Sequence, residues 1–107
     1  MGFRRFSRIP FIRSVRIKAG SDQMFLGYAA KDISTGGLKI ISFIFFPVNQ
    51  WLNLQFQLVD SDVLLEVRGR VAWVRINSVA ETYQLGIDFS EEALYKREVI
   101  RGFVDAS

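Results

Sequence analysis

The chain has 107 residues, half of them hydrophobic and 14% aromatic; this is one domain's length, able to bury about two thirds of its surface on folding, and intrinsic disorder is excluded. It has no cysteine and no histidine, which removes disulfides, thiolate nucleophiles, sulfur-bound zinc and the commonest proton-transfer and metal-binding side chain, so neither a metal site nor an enzyme is expected. Six of the fourteen basic residues (Arg4, Arg5, Arg8, Arg13, Arg16 and Lys18) precede the first acid, Asp22, and from there on eight basic residues face eleven acidic ones; charge segregated this way marks where an anion goes.

Residues 1–10 read as a basic flexible arm and residues 11–107 as a single globular domain. Ile12 to Ala19 is a first extended segment, with Val15 and Ile17 on one face and Arg16 and Lys18 on the other. Met24 to Ala30 is a second, followed by the turn-rich Asp32-Ile-Ser-Thr-Gly-Gly37 and a short buried strand from Leu38 to Ser42. Leu52, Leu54, Phe56 and Leu58 alternate with Asn53, Gln55 and Gln57, the period-two signature of a half-buried strand. A turn at Asp60-Ser-Asp62 leads into a long strand from Val63 to Ile76. Val63, Leu65, Val67, Val71 and Trp73 fall on its inner face, and Gly69 marks a bulge or bend. Thr82 to Phe89 is the last strand.

Ser90 then reads as a helix N-cap with Glu91 and Glu92 in the first turn. Tyr95, Val99 and Phe103 recur every fourth residue beside Ile100 and Val104, an apolar stripe that packs on the strands. Six short strands and one terminal helix make a mainly β architecture: a six-stranded antiparallel β-barrel with a C-terminal α-helix.

The most apolar stretch, Leu38 to Val48, is interrupted by Lys39, Ser42 and Pro47 and falls well short of the roughly twenty residues of a membrane span. The basic N-terminus lacks the apolar run of a signal peptide, and Phe6 stands where a myristoylation motif needs Ser or Thr. A cytoplasmic protein without membrane insertion is expected.

Two short patterns stand out. Arg4-Arg-Phe-Ser-Arg8 spaces two arginines four apart in the arm, and Asp32-Ile-Ser-Thr-Gly-Gly37 is an Asp-x-Ser-x-x-Gly at a strand end. They occur in this order and are followed by Gly69-Arg-Val-Ala-Trp73 and Tyr83-Gln-Leu-Gly-Ile-Asp-Phe89. From Arg4 to the last strand the sequence resembles the PilZ domain family, six-stranded antiparallel barrels that bind the bacterial second messenger cyclic di-GMP.

The resemblance implies a ligand with two phosphodiester anions and two guanines, and no other cofactor. Arg4 and Arg8 are then the clamp, because a guanidinium fork matches phosphate oxygens and the guanine O6/N7 edge and stacks on a base. Asp32 accepts from the donor-only N1–H and N2–H₂ edge of guanine, Ser34 donates or accepts beside it, and Gly37 lets the backbone approach. Phe3, Arg5, Gly36 and Trp73 are candidates for additional contacts, although Trp73 reads first as core. Phe3, standing before the first motif arginine in place of a base, leans toward one ligand per chain. Arg13, Arg68, Arg70 and Arg75 read as solvated strand faces.

The expected mechanism is ligand-driven ordering: without ligand the arm through about Arg8 is mobile, and ligand draws Arg4 and Arg8 onto the barrel around Asp32. The changed surface then regulates an effector protein, so the chain is expected to be a receptor or adaptor, a monomer or weak dimer. Two rival readings remain: a PilZ-like interaction scaffold that has lost the nucleotide, and a small nucleic-acid-binding barrel. Against the second, the body is net acidic, and the Leu52–Leu58 strand turns Asn and Gln outward where such a barrel needs cations. Phe43-Ile-Phe-Phe46-Pro47 is either a plug for the barrel end or, if exposed, a dimer or partner patch.

Overall fold

A computed structural model describes residues 8–20, 26–58 and 64–107. Six strands follow in chain order: β1 (Ile9–Ala19), β2 (Leu26–Ser34), β3 (Gly37–Ser42), β4 (Trp51–Phe56), β5 (Leu65–Asn77) and β6 (Thr82–Asp88), and a single helix, α1 (Leu94–Asp105), closes the chain. Every pairing is antiparallel, and the sheet closes on itself in the order β1-β2-β3-β6-β5-β4. This is the six-stranded barrel with a C-terminal helix that the alternation implies. The turn at Asp60–Asp62, Val63 and Met24 of the second segment lie outside the described residues. β1 starts at Ile9, paired with Ile33, so the barrel takes in the last two residues of the stretch read as an arm.

The interior is filled from every strand. In β4, Leu52, Leu54 and Phe56 point inward while Asn53 and Gln55 lie between them on the outer face. Phe56 stacks on Phe89 with ring centroids 6.4 Å apart and meets the edge of Phe11 at 5.8 Å. Phe11 also receives the edge of Phe103 at 5.6 Å, which seats the helix on the barrel end.

Three ladders set two residues against one. Phe11 and Ile12 of β1 face Lys31 of β2; Lys31 is itself the extra residue between the pairs Ala30↔Ile40 and Asp32↔Lys39; and Ala72 is extra between Val71↔Ile87 and Trp73↔Gly86. The extra residues at Lys31 and Ala72 reverse the in/out phase of β2 and β5 beyond them, whereas β1 keeps Phe11, Val15 and Ile17 on one face. Trp73 therefore does not follow Val67 and Val71 into the core, as strict alternation implies, but stands on the outer surface, 37% exposed. Gly69 is not the bulge. A Cβ there would meet the Ile87 Cγ2 at 2.5 Å and the Phe89 ring at 3.1 Å, so this glycine makes room for core side chains.

The helix begins later than its N-cap signature suggests. Ala93, not Ser90, occupies the N-cap position, and no side chain caps it. Glu92 is used elsewhere: its Oε2 accepts the Arg68 amide of β5 at 2.6 Å and its Oε1 the Ala93 amide at 2.7 Å. This ties residue 92 to the barrel and delays the first turn. The inward face is also shifted. Ile100 and Val104 are buried with Phe103 beside them, whereas Tyr95 and Val99 are exposed. Lys96 and Arg97, held to Glu92, take the inward side of the first turn.

Gly69→Ala should cost about 1–3 kcal/mol through overpacking, while Gly27→Ala, where a Cβ meets nothing within 4 Å, should stay within about 0.5 kcal/mol; equilibrium urea unfolding measures both.

Candidate functional site

The extra residue at Lys31 decides where the Asp-x-Ser-x-x-Gly pattern lies. Ala30 and Ile33 both point into the core, which is incompatible with simple alternation and leaves Asp32 on the outer face, with Ser34 on the same side but buried, 1% exposed, against Arg8 and the Gly37 carbonyl. Thr35 and Gly36 turn the chain, and β3 returns with Gly37 opposite Ser34. Arg8 immediately precedes Ile9, which pairs with Ile33, so its side chain emerges beside Ser34 and Asp32. Its Nε donates to Asp32 Oδ1 at 2.7 Å, its Nη2 lies 2.7 Å from the same oxygen, and its Nη1 reaches Ser34 Oγ at 3.4 Å. Two motifs 24 residues apart are thus joined through side chains. The expectation that Arg8 waits undocked for a ligand is corrected: a carboxylate within reach is the better partner for its fork.

Lys39, which the motif reading passes over, belongs to the same cluster. It pairs with Asp32 in the β2/β3 ladder, and its Nζ lies 3.4 Å from Asp32 Oδ2. It was visible as the single charged residue between Asp32 and Asp60. One carboxylate between two cations leaves a surplus positive charge here, which favours an anion.

The row continues across the barrel. Lys39 faces Gly86 on β6, and Gly86 faces Trp73 on β5, so Asp32, Lys39, Gly86 and Trp73 lie abreast on four neighbouring strands. The Trp73 indole occupies the space that a Cβ on Gly86 would need, and the Arg75 guanidinium lies 5.6 Å from its ring. Gly37 has a structural reason of its own: a Cβ there would strike the Ile87 carbonyl, so the glycine lets β3 approach β6. The Gly36 carbonyl accepts the Phe89 amide at 2.9 Å.

The arginines read as solvated faces have partners as well. Arg68 lies 4.3 Å from the Trp51 ring, Arg70 pairs with Asp88 at 3.7 Å, and Arg13 lies 5.4 Å from the Phe11 ring. Phe3, Arg4 and Arg5 lie outside the described residues. The Phe43–Phe46 segment divides: Phe46 is 5% exposed and meets Tyr28 edge-on at 5.8 Å, whereas Phe43 is 79% exposed and Ile44 and Phe45 are exposed beside it. A groove of about 480 Å³ over β1 and β4 is lined by Arg13, Arg16, Gln55 and Gln57 among others, and no motif residue borders it. Among the described residues no helix is long and apolar enough to cross a membrane.

Barrel and face together define a class: small closed β-barrels that carry their polar site on the exterior wall. Within that class the chain belongs to the PilZ domain family, whose model matches residues 3–106. Among solved structures it is similar to the inhibitor of motility MotI/DgrA of Bacillus subtilis, with TM-score 0.78 and 15% identity over 99% of this chain and 51% of that one. It is likewise similar to the PilZ domain of Escherichia coli YcgR, solved with c-di-GMP, with TM-score 0.69 and 14% identity over 96% and 89%. The PilZ domain of CeSA from a cellulose-synthesizing bacterium gives TM-score 0.67 and 16% identity over 94% and 96%. At these identities the likeness carries the fold, and the chain spans about half the length of the Bacillus protein. No functionally curated protein sequence matches the chain significantly.

Gly86→Ala should push Trp73 off its seat. In a Trp51→Phe background, which leaves Trp73 as the sole tryptophan, its fluorescence maximum should move to longer wavelength.

Proposed function

We propose that this chain is a non-enzymatic receptor for cyclic di-GMP, held on the outer face of β2, β3, β6 and β5. The observation that carries the reading is the junction of the two motifs, Arg8 on Asp32 with Ser34 beside them, on a face that ends in an exposed Trp73. Arg8 has five N–H donors; the carboxylate engages Nε and Nη2 and Ser34 Oγ one hydrogen of Nη1, which leaves the remaining donors for a phosphate or the guanine O6/N7 edge. Arg4 of the arm closes over the second phosphate, with Phe3, Arg5 and Gly36 as bordering contacts. Asp32 acts in either of two ways: it aims the Arg8 fork, or it releases the fork and accepts the N1–H and N2–H₂ edge of guanine. Gly37 contributes backbone alone, and Trp73 offers a ring for stacking.

The structure of the Escherichia coli relative, described with c-di-GMP, supports the choice of ligand. The ligand's cytoplasmic source fits a cytoplasmic receptor. With Arg8 already placed, the ordering step falls to the rest of the arm, and the covered face is what an effector protein reads.

Calorimetric titration of cyclic di-GMP at physiological salt tests this. Saturable binding with one ligand per chain is expected. Arg8→Ala should weaken it by about 100-fold or more, as loss of charge-assisted hydrogen bonds to a phosphate implies, and Asp32→Ala by about 10- to 100-fold. Arg101→Ala, on α1 where Arg101 pairs with Glu98, should leave binding unchanged. No saturable heat, or equal losses in all three variants, would overturn the receptor reading in favour of a scaffold or of unspecific electrostatics.

A further inference from the structure

β5 is thirteen residues long, but its neighbours are unequal. β6 accompanies it as far as Asn77↔Thr82, whereas β4 stops at Trp51↔Arg70. The segment entering β4 adds one more pair of bonds, Asn49 N–H to the Val71 carbonyl at 2.7 Å and Val71 N–H to the Gln50 carbonyl at 2.9 Å. β3 covers the other side of β6 up to Ser42↔Tyr83. Among the described residues, Ala72–Asn77 therefore has a strand on one side only, and the closed barrel carries a protruding ribbon with one open edge. Such an edge is a row of backbone donors and acceptors ready for another strand.

The surroundings of this edge select its partner. Ala72, Trp73, Arg75, Ile76 and Asn77 are all exposed. Ile76 is 65% exposed, and Val79 at the ribbon tip is 95% exposed. Phe45, exposed, packs its ring 5.7 Å from Tyr83, the cross-strand partner of Ile76. Arg75 is the single charge from Val71 to Ala80. A partner strand must therefore be apolar and must not set a cation opposite Arg75.

We propose that the open edge of β5 docks a second copy of this chain, the two edges running antiparallel about a two-fold axis at Val74. In this register Val74 faces its own copy and Trp73 faces Arg75 twice. The lone cation meets an aromatic face, the same pair of side chains that already touch within one chain. Moving the axis to Arg75 sets two guanidinium groups opposite each other, which is destabilising. Moving it to Trp73 demands pairing at Val71, whose amide and carbonyl are already bonded to Gln50 and Asn49. The bulge at Ala72 turns that residue's backbone groups toward β6, so the paired stretch is Trp73–Arg75 about the axis. A three-residue strand pair flanked by a few apolar side chains is a small interface, of the weak class below about 1,200 Å².

The test uses the ligand-free full chain, so its result is independent of the nucleotide reading. Sedimentation equilibrium from about 10 µM to about 1 mM spans the range expected of a weak interface, and the mass should rise from monomer toward dimer. Ile76→Lys, which places an exposed cation on the edge, should weaken association at least about tenfold. The chain has no cysteine, so introduced thiols report the register. Val74→Cys, whose thiols meet at the two-fold axis, should cross-link two chains on oxidation. Ile76→Cys alone should cross-link poorly. A wild-type chain that stays monomeric throughout leaves the edge to a strand of another protein and overturns the proposal. So does a dimer undiminished by Ile76→Lys, or a Val74→Cys variant that does not cross-link.

Discussion

The extra residues at Lys31 and Ala72 govern what the barrel displays. A strand alternates strictly, so with Ala30 buried an unbroken β2 would send Asp32 inward, and with Val71 buried an unbroken β5 would send Trp73 after it. A carboxylate among Ile33, Leu38 and Ile40 would be an uncompensated buried charge. One residue too many in each ladder reverses the phase and turns both side chains outward. They then stand in the same row of the closed sheet, separated by Lys39 and Gly86. The glycine between them gives the indole a bed, and the lysine gives the carboxylate a second cation.

The architecture was legible where one physical rule acts alone. Leu52, Leu54 and Phe56 alternate with polar neighbours because one side of β4 is wet, and the pattern needs no further context. The two motifs were legible as residues, and the structure brings Arg8, Asp32 and Ser34 together. What failed to show depends on contacts distant in sequence. Trp73 read as core because nothing local announces that Ala72 is supernumerary. The helix start read as Ser90 because Ser-Glu-Glu is a sound local cap, and only the β5 amide of Arg68 diverts Glu92 from it. Gly37 also has a role that no local pattern announces, because a Cβ there would strike the Ile87 carbonyl of a strand distant in sequence. Lys39 was missed for lack of a motif around it, although its solitude in an uncharged stretch was a signal.

The Arg8–Asp32 contact alters the physical picture of the site. A guanidinium held by a carboxylate on a neighbouring strand has fewer rotamers open to it than one on a free arm. Lys39 on the other carboxylate oxygen offsets the negative charge of Asp32 from a second side. The exposed Phe43, Ile44 and Phe45, by contrast, carry no charge at all, and the molecule separates an ionic face from an apolar rim at the barrel end.

The strand order has a kinetic side. β1 lies between β2 and β4, and β3 lies against β6, so the cylinder cannot shut on hairpins between successive strands. Its seams join segments tens of residues apart, the topology of domains that fold in milliseconds to seconds and not in microseconds. During synthesis β1 is the first strand made, yet its second ladder waits for Leu52 to Gln55 to leave the ribosome. β1 is thus the strand of this barrel that waits longest for its full set of partners, and the positive charge of Arg13, Arg16 and Lys18 along it opposes premature association while the apolar strands behind it are still unpaired.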